Sequence, residues 1–259
     1  MDAATALRAK LNGGGHAFGT MAFEFFTPGL TALLHHAGCD FVILDTEHSG
    51  AGIDTIKQQI AYARGLGIAV WARPAAKTYA HVATLLDAGA DGIMAPMLET
   101  PEEARDLVEW SRYRPEGKRG CAFGFAQEAY RGMSALDAQK AANERITLIG
   151  LIETKKGLAN AEAILATPGM DVGWMGHFDM SDDFGIPGRF EDPIMQKAFD
   201  DLAQAAKNTG KAAGTADADM NFLKAQATRG YRCHGYGNDV AALRMAMSRG
   251  IADLKAMVA

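Results

Sequence analysis

The stretch Phe41-Val42-Ile43-Leu44-Asp45-Thr46-Glu47-His48 decides the fold, because four apolar residues run straight into two acids and a histidine. An unbroken apolar run of this length suits a strand buried on both faces of a parallel sheet. The pattern recurs along the chain. Ile68-Ala69-Val70-Trp71-Ala72 ends in Arg73-Pro74, Ile146–Ile152 ends in Glu153-Thr154, and Val172–Gly176 ends in His177-Phe178-Asp179. Short apolar strands that stop at reactive residues are how an α/β barrel gathers distant positions at one mouth.

Eight strand candidates emerge: Ala17–Ala22, Phe41–Asp45, Ile68–Arg73, Gly92–Met97, Ile146–Ile152, Val172–Gly176, Ala212–Thr215 and Arg232–Gly235. Helical patterns such as Tyr79–Ala88 and Pro101–Ser111 lie between them. The second opens on Thr100-Pro101-Glu102-Glu103, which supplies an N-cap, a proline at the first helical position and acids in the first turn. Ala37-Gly38 and Ala88-Gly89 read as helix ends closed by a glycine. Alternating strands and helices predict a parallel α/β sheet, and eight units predict closure into a (β/α)8 TIM barrel, one domain over residues 1–259. One connection is long: roughly fifty residues separate the fourth and fifth strands, including a helix near Met133–Glu144. It reads as an insertion on the mouth side, a lid or a subunit contact.

Composition narrows the function. The chain has 259 residues, 48% of them hydrophobic and 22% charged, as in ordinary globular proteins. Thirty-one acids against 26 bases, a net charge of −5, leave no basic cluster for nucleic acid or an anionic membrane. Cys39, Cys121 and Cys233 fit neither a disulfide framework nor a zinc spacing. No apolar run approaches a membrane span, so a soluble cytoplasmic protein is expected.

Glu153 and Asp179 follow consecutive strand candidates, so their carboxylates can converge. Each alone reads equally well as a solvated acid at a loop start. Together, with water and a chelating substrate in the other positions, they suit Mg2+ or Mn2+, with Co2+ a further option. His48 follows Asp45 and Glu47, and an imidazole beside a carboxylate suits a general base. Of the other histidines, His177 alone stands where it could face the site. Arg73, directed by Pro74, could take a carboxylate or an enolate oxygen through two hydrogen bonds; a rim salt bridge is the competing reading. Gly235-Tyr236-Gly237 is a weak phosphate-loop signal that a tight turn explains equally well. Ser49 and Lys155 lack the context of a nucleophile. The stripe Leu243, Met247, Ile251, Leu254 and Val258 reads as helical packing, on its own barrel or on a partner subunit.

These residues carry a resemblance. Leu44-Asp45-Thr46-Glu47-His48, Ala72-Arg73-Pro74, Leu86-Asp87-Ala88-Gly89, Ala95-Pro96-Met97, Arg112-Tyr113-Arg114-Pro115 with Arg119-Gly120, Ile152-Glu153-Thr154, and Gly176 with Asp179-Met180-Ser181 resemble the HpcH/HpaI aldolase family nearly end to end. That family comprises metal-dependent (class II) pyruvate aldolases. The resemblance implies a hexamer of TIM barrels, often with the last helix exchanged between subunits. It implies metal ligation by Glu153 and Asp179, His48 beside a metal-bound water with Asp45 as its neighbour, and Arg73 on the pyruvate oxygen. It also implies that Asp87 reaches a neighbouring subunit's site and pairs with its histidine. The chain departs from the family at Leu151, where glutamine is common, and at Gly176-His177-Phe178-Asp179, where Gly-Pro-Ala-Asp is frequent. Met21-Ala22-Phe23 stands where many members carry a tryptophan. The expected activity is reversible cleavage of a 4-hydroxy-2-oxo acid to pyruvate, or a close 2-oxo acid, and an aldehyde. Two alternatives stand beside it: a citrate-lyase-like carbon–carbon lyase, for which no basic coenzyme A groove is evident, and a non-catalytic barrel that binds an oxo acid or metal.

Overall fold

The computed structural model describes residues 2–258; Met1 and Ala259 lie outside the described residues. Eight strands pair in parallel and in sequence order, and the last closes on the first. They are β1 (Ala17–Ala22), β2 (Phe41–Asp45), β3 (Ala69–Arg73), β4 (Gly92–Ala95), β5 (Thr147–Ile152), β6 (Val172–Met175), β7 (Ala212–Asp217) and β8 (Cys233–Asn238). The expected TIM barrel is what forms. Helix α1 (Ala3–Asn12) precedes the barrel, and α2 (Leu30–His36), α3 (Ile53–Ala63), α4 (Tyr79–Ala88) and α5 (Pro101–Ser111) alternate with the first strands. Then come α6 (Ala135–Arg145), α7 (Lys155–Ala159), α8 (Ala161–Ala166), α9 (His177–Asp183), α10 (Pro193–Thr209), α11 (Met220–Arg229) and α12 (Asp239–Val258).

Strand periodicity divides the core in two. Phe41, Ile43, Trp71, Met94, Ile149, Leu151, Val172 and Trp174 point into the barrel with Leu7 and Leu11 of α1, whereas Val42, Leu44, Val70 and Ala72 face the helices. Phe41 stacks on Trp71 with ring centroids 4.2 Å apart and meets Trp174 edge-on at 6.2 Å. A Cβ on Gly214 would lie 2.5 Å from the Trp174 ring, so this indole fits only because β7 carries glycine there. The alternation has a chemical consequence. Asp45, Arg73 and Glu153 each stand two residues beyond an inward side chain (Ile43, Trp71 and Leu151), so all three turn inward at the carboxyl mouth.

Local signals hold where they were strongest. Thr100 caps α5 by accepting the N–H of Glu103, with Pro101 in the first turn, and Gly38 and Gly89 adopt φ of 96° and 107° just past their helices. Strand ends shift. β4 stops before Met97, which turns to φ 50°, and β6 stops before Gly176, which becomes the residue preceding α9. β7 and β8 run further than expected, to Asp217 and Asn238, because backbone pairing such as Asp217 with Tyr236 continues past the apolar residues. The long connection departs more. Its extra residues follow α5, so they begin at the end of the barrel where strands start, and pack along α1 and α4 through α6 and a 3-10 turn at Ala126–Glu128. None of its residues from 112 to 146 lines the mouth cavity, so in the single chain it is not a lid.

Helix α12 buries none of its 20 residues. Leu243, Met247, Ile251, Leu254 and Val258 are all exposed, which excludes packing on their own barrel. Among the described residues no helix is long and apolar enough to cross a membrane.

Phe41, stacked on Trp71 and edge-on to Trp174, packs inside the barrel. Phe41→Ala should lower the unfolding free energy by about 3–5 kcal/mol, measured by equilibrium urea denaturation; a loss below about 1 kcal/mol would show that the interior repacks freely.

Candidate active site

A cavity of about 480 Å³ opens at the carboxyl mouth, lined by His48, Arg73, Leu151, Glu153, Gly176, His177, Phe178 and Asp179 among others. Strand register explains its centre. Asp45 and Arg73 are paired positions on β2 and β3, and Arg73 Nε donates to Asp45 Oδ1 at 2.5 Å. Both are buried. Glu47 Oε2 lies 3.2 Å from the same Nε, so two carboxylates fix the guanidinium from one side. Asp45 also accepts the backbone N–H of His48 at 2.7 Å, which ties the loop after β2 to the same carboxylate. The His48 ring is exposed, and the carboxylate beside it is that of Glu47, 3.6 Å from Nε2. Asp45 therefore holds the histidine by its backbone, not by its imidazole.

Glu153 sits just past β5 and is buried. Its Oε1 accepts the N–H of Met97 at 2.7 Å, an interaction that the left-handed turn at Met97 makes available. A Cβ on Gly176 would stand 2.6 Å from Glu153 Oε2 and 2.7 Å from its Cβ, so glycine leaves the room this carboxylate occupies. Burial pushes the Glu153 carboxyl up to about 7, with Asp179 and Glu47 acting in the same sense against the Met97 N–H and Arg73. Burial likewise raises Glu47, where Asp45 and Asp179 add to the effect and Arg73 and His48 oppose it. Acidic groups thus outnumber basic ones: Asp45 and Glu47 meet the guanidinium, and Glu153 and Asp179 add to the field around Glu47.

The structure brings His48, Arg73, Leu151, Glu153, Gly176, His177, Phe178 and Asp179 to one cavity, with Asp45 behind Arg73. It leaves Asp87 out. Asp87 lies in the last turn of α4, at the opposite end of the barrel, and accepts from Arg119 Nη2 at 2.6 Å. Reasoning from sequence missed Glu47 as a partner of Arg73, the Met97 N–H, and the pair His177–Asp217, whose Nε2 and Oδ2 are 3.1 Å apart. Asp217 follows a run of small residues with little strand signal, and a left-handed methionine carries no sequence mark. Leu151 lies in the cavity wall, Phe178 is largely exposed at the rim, and Phe23 reaches the lining from β1's end.

With its ionisable side chains gathered where such barrels do chemistry, the molecule is a barrel enzyme. A family model described as HpcH/HpaI aldolase/citrate lyase matches residues 23–246. The chain is 33% identical over 213 residues to a hydroxypyruvate/pyruvate aldolase of Roseobacter denitrificans, with 82% of each chain covered. It is 32% identical over 192 residues to a 4-hydroxy-2-oxo-heptane-1,7-dioate aldolase of Klebsiella pneumoniae, covering 74% of this chain and 72% of that one. The crystal structure of an HpcH/HpaI aldolase from Desulfitobacterium hafniense superposes with a TM-score of 0.91 at 29% identity, over 96% of both chains. The chain belongs to the HpcH/HpaI aldolase/citrate lyase family. It is an aldolase, a carbon–carbon lyase.

The fit of Gly176 against Glu153 is testable by itself. Gly176→Ala should cost about 1–3 kcal/mol of stability through overpacking. Combining it with Glu153→Gly should recover part of that loss, since the new methyl meets the Oε2 and Cβ of Glu153. Strictly additive effects in a denaturation double-mutant cycle would show that the carboxylate does not need the space.

Proposed function

We propose that this enzyme cleaves a 4-hydroxy-2-oxo acid to pyruvate, or a close 2-oxo acid, and an aldehyde, using a divalent cation at Glu153 and Asp179. The observation that carries the reading is the gathering of four carboxyl groups and one guanidinium at one mouth, with Glu153 and Asp179 lining the cavity. A divalent cation fits this charge deficit. Among the described residues no three His, Cys, Asp or Glu side chains converge as a complete metal cage. Two carboxylates with water and substrate oxygens in the other positions suit Mg2+ or Mn2+, with Co2+ a further option. When bound, such an ion acts as a Lewis acid on the 2-oxo group.

The chain's own residues do the rest. Arg73 has its Nε occupied by Asp45 and Glu47, and its terminal nitrogens make no hydrogen bond among the described residues, so they remain for a substrate oxygen that gains charge. His48, exposed at the rim beside Glu47, takes the 4-hydroxyl proton as the C3–C4 bond breaks. The electron pair stays on the pyruvate half as the enolate, which Arg73 faces, and a proton then returns to C3. Asp87 belongs to a neighbouring subunit's site in this reading, which its place far from its own chain's cavity supports. A hexamer with α12 exchanged would cover both the apolar stripe of that helix and the outward Phe18 and Tyr236 of β1 and β8. The partners are a small 2-oxo acid and an aldehyde, and the setting is the cytoplasm.

The raised Glu153 carboxyl gives a prediction with its sign fixed. It ordinarily titrates near 4.5 and here near about 7, so between those values the folded protein holds a proton that the unfolded chain has released. Its contribution to stability is full below 4.5 and is lost as pH rises through about 7. A cation on the ionised pair offsets that loss. Mn2+ should therefore raise Tm more at pH 8 than at pH 6 in calorimetry, and Glu153→Gln should remove the difference. Equal shifts at both pH values would place the cation elsewhere.

Turnover tests the whole reading. With Mn2+ the protein should release pyruvate from a generic 4-hydroxy-2-oxo acid, and chelation should stop it. His48→Ala should slow cleavage by about 10²–10⁴ with metal still bound, and Arg73→Lys should lose about 10²–10³ because an ammonium lacks the planar fork. Near-normal rates in His48→Ala would remove it from the mechanism, and a wild-type protein that releases no pyruvate would sink the reading.

A further inference from the structure

In an eight-stranded barrel β7 stands across from β3, so the wall facing Arg73 is built by the ends of β7 and β8. Two polar side chains line the cavity there, Asp217 and Asn238. Asp217 is fixed. Its Oδ2 accepts from His177 Nε2 at 3.1 Å, and its Oδ1 accepts the N–H of Asp219 at 2.7 Å. His177 is buried in an aromatic cage, with its ring centroid 4.7, 4.6 and 4.8 Å from those of Phe178, Phe190 and Phe222. That packing leaves the imidazole no room to swing away from the carboxylate.

Burial alone would raise the Asp217 carboxyl, but hydrogen bonds from His177 and from the N–H groups of Asp219 and Ala218 outweigh it and hold it below the usual range. It is an anion at neutral pH. No Lys or Arg among the described residues pairs with it. A carboxylate accepts about four hydrogen bonds, so acceptor capacity remains toward the cavity. Asn238 complements it. Its Oδ1 accepts the N–H of Ala241 at 2.8 Å, while its Nδ2 makes no hydrogen bond among the described residues and remains a donor. An acceptor and a donor on adjacent strands suit a hydroxyl group, which can give one hydrogen bond and take another.

We propose that Asp217, positioned by His177 and assisted by Asn238, selects the aldehyde half of the substrate by hydrogen-bonding a hydroxyl there and repelling a carboxylate. The proposal rests on the aldolase reading above: the pyruvyl half lies between Arg73 and the Glu153–Asp179 pair, and the remainder extends across the cavity. The substrate class is then a neutral hydroxylated aldehyde, not an acidic semialdehyde. A fixed negative charge in a half-buried wall disfavours a second one. A wall built to hydrogen-bond a hydroxyl also discriminates against an analogue that lacks it, because its polar groups are left unpaired.

The test is aldol addition of pyruvate, with Mn2+, to glycolaldehyde, propionaldehyde and succinic semialdehyde, each as kcat/KM. The wild-type order should be glycolaldehyde, then propionaldehyde, then succinic semialdehyde. Asp217→Asn keeps the size and one acceptor for His177, so it should fold, which its melting temperature checks. It should raise the ratio of succinic semialdehyde to glycolaldehyde by about tenfold or more. Asp217→Ser serves as a second neutral variant with the same expectation. His177→Phe keeps the aromatic packing and loses the hydrogen bond. It should raise KM for glycolaldehyde more than it lowers kcat, and add nothing in the Asp217→Asn background. A merely structural histidine would lower kcat and leave KM unchanged in either background. An unchanged aldehyde ratio in folded Asp217→Asn and Asp217→Ser overturns the proposal, as does a wild-type preference for succinic semialdehyde. A wild-type protein that adds none of the three and exchanges no pyruvate methyl protons overturns the aldolase reading itself, and this proposal with it.

Discussion

The site depends on one buried ion pair, Asp45 with Arg73, made across paired positions of neighbouring strands. Neither charge could stay in the barrel mouth alone. Removing one member of such a pair leaves the other uncompensated, at a cost of about 3–5 kcal/mol. The pair therefore fixes the direction of the guanidinium, and Asp45 extends that order by holding the His48 N–H. One carboxylate thus positions two cavity-lining residues, Arg73 through its side chain and His48 through its backbone. Glu47 completes the arrangement by occupying the same Nε and flanking the His48 ring.

The remaining acids make the mouth rich in carboxyl groups. The Glu153 carboxyl is pushed to about 7 because burial disfavours its ionised form more than the Met97 N–H and Arg73 favour it. Glu153 is nevertheless held in place, by the Met97 N–H on one side and by the space at Gly176 on the other. The mouth thus holds its carboxyl groups in fixed positions, with more acidic than basic groups around them. Preorganisation of this kind is what charge-stabilising catalysis requires, since little reorganisation is left to perform during reaction.

Much of this was legible in the sequence because barrel geometry converts a simple pattern into position. A buried strand followed by a charged residue places that residue at the mouth, and the period of two decides whether it points inward. The strand ends alone place Asp45, Arg73 and Glu153 at the mouth; that they turn inward is seen in the structure. What could not be read were contacts set by backbone conformation or by long-range approach. The left-handed Met97 looks like any methionine after a proline. Asp217 ends a strand of small residues, Ala212-Ala213-Gly214-Thr215-Ala216, whose glycine is present because Trp174 needs the room. The long segment after α5 was expected at the mouth because its length suggested function. Its place is set instead by where α5 ends, and its polar and apolar residues go to closing the outside of α4 and α1.

The two halves of the mouth differ in what holds them. On the β2, β3 and β5 side, charge fixes charge: the guanidinium, the carboxylates and the backbone N–H groups that meet them. On the β6 to β8 side, aromatic packing fixes a single hydrogen-bonded pair, with Phe178, Phe190 and Phe222 around His177. The first half cannot change a residue without exposing an unpaired buried charge, so its chemistry is rigidly specified. The second half can exchange one ring or one polar group at the cost of packing alone. This chain carries His177 and Phe178 there. A barrel divided in this way can keep one bond-breaking apparatus while altering which aldehyde it accepts.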